Sequence, residues 1–339
     1  MRPRPARWPW TSRRSPAHGP DPRRPDLTRR LTTLGWVVTT PLLVLALTWL
    51  LGLDRWLLPA SVGIAVFPLA LAPAWLVVVG ALAGRRWPLA AVAGIIAVVH
   101  LAAVAPALPD HPAPPEGTGA RLRIVTANSS FRNADTDRWA AALLALDADV
   151  LLVQEYAPTT RDALFKAGVR ERYPWQSVWM RPYSAGLAVF SRLPMRGTNV
   201  PKFDYDGIAA SVKVGDRWTR IVNVHTAALP DQHRWRDTFT DLEGYLDDQP
   251  VPLIAAGDFN ATLWHQPMRD LLQGPLRDAH ADRGRGLAVT WPVGKPGPPF
   301  ALIDHVLVTP TIGVRSIAER TVPGSDHRAV VADLLVRYP

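Results

Sequence analysis

The chain has 339 residues and no Cys, and its 38 Lys and Arg against 29 Asp and Glu give a formal charge of +9. No disulfide can staple it, and the length allows about two domains. Nine Arg in the first 30 residues, less Asp21 and Asp26, join Arg55, Arg85 and Arg86, less Asp54, to put the whole excess into residues 1–86. Residues 87–339 are therefore neutral, so the high pI does not imply a phosphate-neutralising nucleic-acid face.

Residues 1–30 are rich in Arg and Pro and lack apolar periodicity, which predicts a disordered basic tail. A membrane domain is expected over 31–108. Leu34 to Leu53 is an uncharged run long enough to cross a hydrocarbon core of about 30 Å as a helix. A second span is expected over 59–83, kinked by Pro68 and Pro73, and a third over 88–108 after Arg85-Arg86. Trp36, Trp49, Trp56, Trp75 and Trp87 lie near the expected span ends, as interfacial anchors do. The positive-inside rule places the tail and Arg85-Arg86 in the cytoplasm. Three spans then carry everything after Leu108 across, making a multi-pass protein of the cell membrane with an extracytoplasmic C-terminal domain.

Residues 109–120 (PDHPAPPEGTGA) read as a Pro/Gly-rich tether, leaving 121–339 for one soluble domain. Strands are expected at Arg121–Ala127, Asp149–Val153, Gly186–Phe190, Ala301–Val308 and Arg328–Val336, and a hairpin at Ile208–Val214 and Thr219–Val224 around Gly215-Asp216. Helices are expected after Asp135, with Trp139, Leu143 and Leu146 on one face, over Thr159–Ala167, and over Asp231–Asp247, where Trp235, Phe239, Leu242 and Leu246 recur at helical spacing. Leu253 to Asn260 (LIAAGDFN) is an apolar run that stops at a Gly, which lets Asp258 and Asn260 emerge together at its carboxyl end. Two strand groups separated by helices predict two packed sheets covered by helices.

Polar residues collect where these strands stop. Asn128 follows the first, Gln154-Glu155 the second and His225 the hairpin; Asp304-His305 interrupts a later run, and Ser325-Asp326-His327 precedes the last strand. Singly, each has an ordinary reading as a turn, cap or core residue. Together, the order Asn128, Gln154-Glu155, Gly186-Leu-Ala-Val-Phe-Ser-Arg192, His225, Gly257-Asp-Phe-Asn260, Ile303-Asp304 and Ser325-Asp-His327 resembles the endonuclease/exonuclease/phosphatase superfamily, the DNase I-like fold, across essentially all of 121–339.

That resemblance implies a four-layer α/β sandwich, here preceded by three transmembrane helices, and metal-dependent hydrolysis of phosphate esters, usually with Mg²⁺ and alternatively with Mn²⁺ or Ca²⁺. A hard cation lowers the barrier by neutralising phosphoryl oxygens. Glu155 is the expected ligand, with Asp326 and Asn128 beside it. Asp258 would orient or deprotonate the attacking water, and Asn260, with Asn128, would bind the substrate's non-bridging oxygens. His327, held by Asp304, would act at the phosphate, leaving the choice of base between Asp258 and His327 open. His225, in a His-Thr-Ala-Ala context similar to the DNase and sphingomyelinase branches, would protonate the leaving oxygen. The Trp-x-Gly-Asp-x-Asn and Trp-Cys-Asp-Arg signatures of the inositol-phosphatase branch are absent.

His305 should face away from Asp304 on a strand and serve the core or support the site. Thr290-Trp291-Pro292 reads either as the substrate mouth or as a lid over the core. Arg181 and Arg192 read either as phosphate contacts or as solvated surface. The implied substrate is a nucleic acid or a lipid headgroup, the implied partner is the bilayer, and no protein partner is expected. A membrane scaffold that kept the fold and lost the chemistry is the competing class.

Overall fold

A computed structural model describes residues 27–181, 183–201 and 206–337. Most of the expected basic tail lies outside the described residues, and its last four positions, Leu27 to Arg30, already belong to the first helix. That helix, α1, is Leu27–Leu51; α2 (Leu58–Ala65), α3 (Phe67–Leu71), α4 (Pro73–Ala83) and α5 (Trp87–Val104) follow.

Among the described residues, two helices are long and apolar enough to cross a membrane: Leu27–Leu51, with mean hydropathy 2.0, and Trp87–Ala107, with mean hydropathy 2.3. The segment expected as a second span is a bent pair, Leu58–Ala65 and Phe67–Ala83, turned by 80°. Pro68 and Pro73 stand in the first turns of successive helical pieces, where a residue without an N–H cannot continue the preceding helix's ladder, and the bend falls just before Pro68. Counting the pair as one span gives three.

The remaining chain runs β1 (Gly119–Asn128), α6 (Thr136–Leu144), β2 (Val150–Gln154), α7 (Pro158–Lys166), α8 (Val169–Arg172), β3 (Trp175–Trp179), β4 (Leu187–Ser191), β5 (Met195–Asn199), β6 (Asp206–Val214), β7 (Arg217–His225), α9 (Gln232–Asp247) and β8 (Leu253–Asp258). It ends with α10 (Gln266–Leu271), β9 (Arg277–Asp278), α11 (Ala279–Asp282), β10 (Asp304–Val308), β11 (Ile312–Thr321) and β12 (Arg328–Arg337). These strands make two six-stranded mixed sheets, ordered β11-β12-β1-β2-β4-β3 and β5-β6-β7-β8-β10-β9.

Alternation along the strands decides the layers. Ile124, Leu152 and Val189 of one sheet meet Ile221, Ile254 and Val306 of the other in the central core. Val125, Leu151 and Phe190 point outward beneath Trp139 and Leu143 of α6. On the far side, Val222, Ala255 and Leu307 are covered by Trp235, Phe239 and Leu242 of α9. The result is the expected sandwich of two sheets between helices.

The N-terminal helices share that last layer. Phe67 and Leu71 are fully buried in the same apolar cluster as Trp235 and Trp264, and Phe67 stacks on Trp49 and Trp264 at 5.3 and 6.5 Å. Nor is the expected tether a free one. His111 N donates to Asp282 O at 3.1 Å, Arg283 pairs with Asp110 at 2.7 Å, and Gly119 and Ala120 already belong to β1.

Candidate active site

Strand register assembles the site. In the second sheet His225 pairs with Asp258 across the parallel β7–β8 ladder, and Asp258 pairs with Asp304 across the antiparallel β8–β10 ladder, so the three form one rung at the sheet's end. In the first sheet Asn128 pairs with Gln154, and Glu155 follows at φ 55°, in the left-handed region. Asn260 sits at φ 47° just beyond Asp258. Two left-handed residues other than Gly at one sheet mouth are backbone strain of the kind that collects at functional sites.

The two sheets touch through Asn128. Its Nδ2 donates to Asp258 Oδ2 at 3.0 Å and to Glu155 Oε1 at 3.3 Å, while its Oδ1 accepts from Ser130 N at 2.9 Å. Phe131 N donates to Glu155 Oε2 at 2.7 Å, and Asn260 N to Asp258 Oδ1 at 2.9 Å. Asp258 Oδ2 also lies 3.7 Å from Nε2 of both His225 and His327. Asp304 Oδ2 is 2.9 Å from His327 Nδ1, which fixes that ring, and Asp304 Oδ1 is buried with no hydrogen-bond partner.

Of the residues singled out from the sequence, Asn128, Glu155, His225, Asp258, Asn260, Asp304 and His327 meet in one place. Asp326 is half-buried at its rim, 4.0 Å from Lys295 Nζ. Asn260 turns its side chain back into the fold, Nδ2 donating to Thr226 O at 3.0 Å. Gln154, beside Glu155, points into the intersheet core, where Nε2 donates to Asn223 Oδ1 at 2.6 Å and Thr126 Oγ1 at 2.9 Å. Arg192 is far away. Its neighbour Ser191 pairs with Val150 at the opposite end of β2 from Glu155, and its guanidinium holds Asp147. That end carries a cavity of about 490 Å³, in which Arg123 is bound by Asp333 as Arg192 is by Asp147. Arg181 is exposed.

His305 is fully buried. Its Nδ1 lies 2.8 Å from Asp278 Oδ2 and its Nε2 2.9 Å from Ala261 O, contacts that serve the interior rather than the Asp258 rung. Trp291 stacks edge-on against Phe300 at 5.5 Å beside the site.

Two positioning residues were not assigned a role from the sequence. Thr290 Oγ1 accepts from Ile303 N at 3.1 Å and Asp304 N at 3.2 Å. Ser325 Oγ donates to Asn128 O at 2.8 Å and accepts from His327 N at 3.0 Å, tying the end of β1 to the start of β12 within the first sheet. The second was signalled by a Ser two residues before a His, the first only by a buried Thr in a polar loop.

Burial pushes the Glu155 and Asp258 carboxyls above their ordinary range, and it lowers His225 despite the nearby Asp258 carboxylate. Burial would also lower His327, but Asp304 and then Asp258 outweigh it and drive it up to about 10. At neutral pH His327 is therefore an imidazolium held between two carboxylates. Four carboxyls, Glu155, Asp258, Asp304 and Asp326, surround that one positive ring. An acid-rich mouth of hard oxygen donors, one of them orphaned, suits a hard divalent cation.

A model of the endonuclease/exonuclease/phosphatase family matches residues 125–327. No curated protein matches the sequence. Among solved structures, TDP2 from D. rerio in complex with a single-strand DNA product superposes with a TM-score of 0.54 at 16% identity, over 63% of this chain and 98% of its own. The human Nocturnin catalytic domain, with a bound sulfate anion, gives 0.51 at 18% identity over 63% and 94%. An endonuclease/exonuclease/phosphatase from Beutenbergia cavernae gives 0.50 at 20% identity over 64% and 72%.

Proposed function

The chain belongs to the endonuclease/exonuclease/phosphatase family, and we propose that it is a membrane-tethered, divalent-metal-dependent phosphoesterase that cleaves phosphate esters by in-line attack of water. The observation that carries the reading is the convergence of Asn128, Glu155 and Asp258 from two sheets, with His225 and His327 each 3.7 Å from Asp258. Glu155, Asn128 and Asp326 would hold the cation, Mg²⁺ by the hardness of their oxygens, with Mn²⁺ or Ca²⁺ as substitutes. When bound, it supplies charge neutralisation at the phosphoryl oxygens.

The chain's own groups do the rest. Asp258, fixed through Oδ1 by Asn260 N and through Oδ2 by Asn128, orients the water and takes its proton. His327 stays positive and offers a fixed charge to the oxygens on which negative charge grows. His225 is neutral in the free protein, and an arriving phosphate anion raises its pKa, so it enters the reaction carrying the leaving oxygen's proton. The bond from water oxygen to phosphorus forms as the bond to the leaving oxygen breaks. Asp258→Asn should lower kcat by roughly a hundredfold or more with unchanged circular dichroism. Full activity in that variant would end the reading, as would indifference to EDTA.

The exposed apolar faces of the N-terminal helices, Val37, Leu76, Val79 and Val98 among them, support tethering in a bilayer. The Arg-rich tail and Arg85-Arg86, which fall on the same side when the chain spans three times, support an extracytoplasmic site. A lipid-headgroup substrate is favoured by a cavity of about 350 Å³ where Pro68, Leu69 and Val104 of the helices meet Val289, Phe300 and Leu302 of the loop leading into Asp304. On this second reading a long-chain phospholipid is cleaved faster than its water-soluble headgroup analogue. Filling the cavity with Ala288→Trp should abolish that preference and leave hydrolysis of bis(p-nitrophenyl) phosphate intact. Equal rates on lipid and analogue would favour a nucleic acid instead.

A further inference from the structure

On the far side of β10 from the catalytic rung lies a second cluster of titratable side chains that the proposed reaction does not use. We propose that Asp278, His280 and His305 form a second cation site, matched to a borderline transition ion such as Zn²⁺, that braces the loops carrying the active residues. All three side chains are buried, and a carboxylate oxygen and one nitrogen from each ring lie within 4.8 Å of one another. Short edge strand β9 and the helix turn α11 present Asp278 and His280 two residues apart, and β10 supplies His305 from the neighbouring strand.

The hydrogen bonds are those of a ligand set. His305 Nε2 is 2.9 Å from Ala261 O, an acceptor only, so that nitrogen carries hydrogen. In the neutral ring Nδ1 is then a lone pair, and it faces Asp278 Oδ2 at 2.8 Å. Two acceptors so close share a positive species, either the proton that Asp278 favours on His305 against the effect of burial or a cation in that proton's place. His280 brings another ring nitrogen to the same spot: Nδ1 stands 3.9 Å from Asp278 Oδ1 with no hydrogen-bond partner among the described residues, while Nε2 faces the Glu319 carboxylate, Oε1 at 3.3 Å.

Each imidazole thus turns one nitrogen into the cluster and the other toward an outer acceptor, Ala261 O or the Glu319 carboxylate, which is how proteins orient metal-binding His. Two imidazole nitrogens and one carboxylate oxygen select Zn²⁺, Co²⁺ or Ni²⁺ over Mg²⁺, in contrast with the oxygen-rich catalytic mouth. At bond lengths of about 2.0–2.1 Å the donors must settle roughly 3.3 Å apart, so His305 Nδ1 and Asp278 Oδ2 open from 2.8 Å while His280 Nδ1 closes on Asp278 from 3.9 Å. Ala261 adjoins Asn260 and His305 adjoins Asp304, so an ion here would fix both approaches to the site.

The test uses the full chain in detergent, with Glu155→Gln/Asp258→Asn as the background so that the catalytic mouth contributes little binding. After loading with Zn²⁺ and dialysis, elemental analysis should find about one Zn²⁺ per chain, and Co²⁺ should give visible d–d bands of a low-symmetry site. Adding His280→Gln should abolish both while the chain stays folded by circular dichroism. The Co²⁺ spectrum of the background protein stands even if that variant fails to fold. Absence of any retained Zn²⁺ and of any Co²⁺ band, or retention unchanged by His280→Gln, overturns the site.

Discussion

At the residue scale, the proposed chemistry depends on His327 keeping its proton. Its pKa is raised to about 10 from an ordinary value near 6.5, because Asp304 and Asp258 outweigh the effect of burial. The folded state therefore holds that proton more tightly than the unfolded chain does. The stability it contributes is complete below about pH 6.5 and is lost as pH rises to about 10. The thermal midpoint should accordingly fall across that window in the native chain, and more shallowly in His327→Gln. Asp304→Asn removes the nearer carboxylate, so the alkaline limb of kcat/KM should move from near 10 toward neutrality. A limb that stays in place would assign it to another group. Gly257 gives a structural counterpart. It sits at φ 150°, where a Cβ would come 1.9 Å from Val224 O on the neighbouring strand. Gly257→Ala should cost more than about 3 kcal/mol in chemical denaturation, a clash with backbone that no side-chain movement relieves.

At the level of elements, the site is a product of strand ends, and this is why so much of it was legible. Apolar runs stop where strands stop, and the polar residue after each run marks a sheet end whatever the topology. Asn128, Glu155, His225 and Asp258 are found in that way, whereas Asp304 shows only as a break in the run Ala301–Val308 and is in fact the first residue of β10. What the runs could not reveal is pairing. Nothing local says that Arg192 ends β4 at the far side of the sheet, a fact of the antiparallel β2–β4 register. Strands β3 and β5 escaped for a related reason. Trp175–Trp179 and Met195–Asn199 lie toward the sheet margins with exposed side chains, so they lack the buried pattern that betrays a strand. Ser325 shows how pairing turns a loop residue into a joint. One hydroxyl serves Asn128 O of one strand and His327 N of another, so Ser325→Ala should cost about 1–3 kcal/mol and lower kcat with little change in KM. A change confined to KM would instead place Ser325 in substrate binding.

Over the whole molecule, composition divides the chain at Arg86 but packing does not. The turn after α1 is built into the catalytic layers: Asp54 Oδ2 accepts from Gln266 N at 2.7 Å, and Gln232 Nε2 donates to Asp54 O at 2.8 Å and Ser61 Oγ at 2.9 Å. His265 completes the joint. Burial lowers its pKa to about 4, so the ring is neutral, Nδ1 accepting from Thr262 N at 2.8 Å while Nε2 donates to Ser61 O at 3.0 Å. The sequence showed no partner for His265, since that partner lies 204 residues away on a helix assigned to another domain. Removing one side of such a buried contact leaves the other unsatisfied, so Gln232→Ala should cost about 1–3 kcal/mol in the detergent-solubilised chain, a fall of several degrees in Tm. In the fragment 121–339 the same substitution should be nearly silent, because Asp54 and Ser61 are absent. That fragment should itself bind a hydrophobic dye through Trp264 and the other residues that Phe67 and Leu71 cover. Equal destabilisation in both proteins would mean that Gln232 acts within the catalytic layers, and the helices would then be a tether and nothing more.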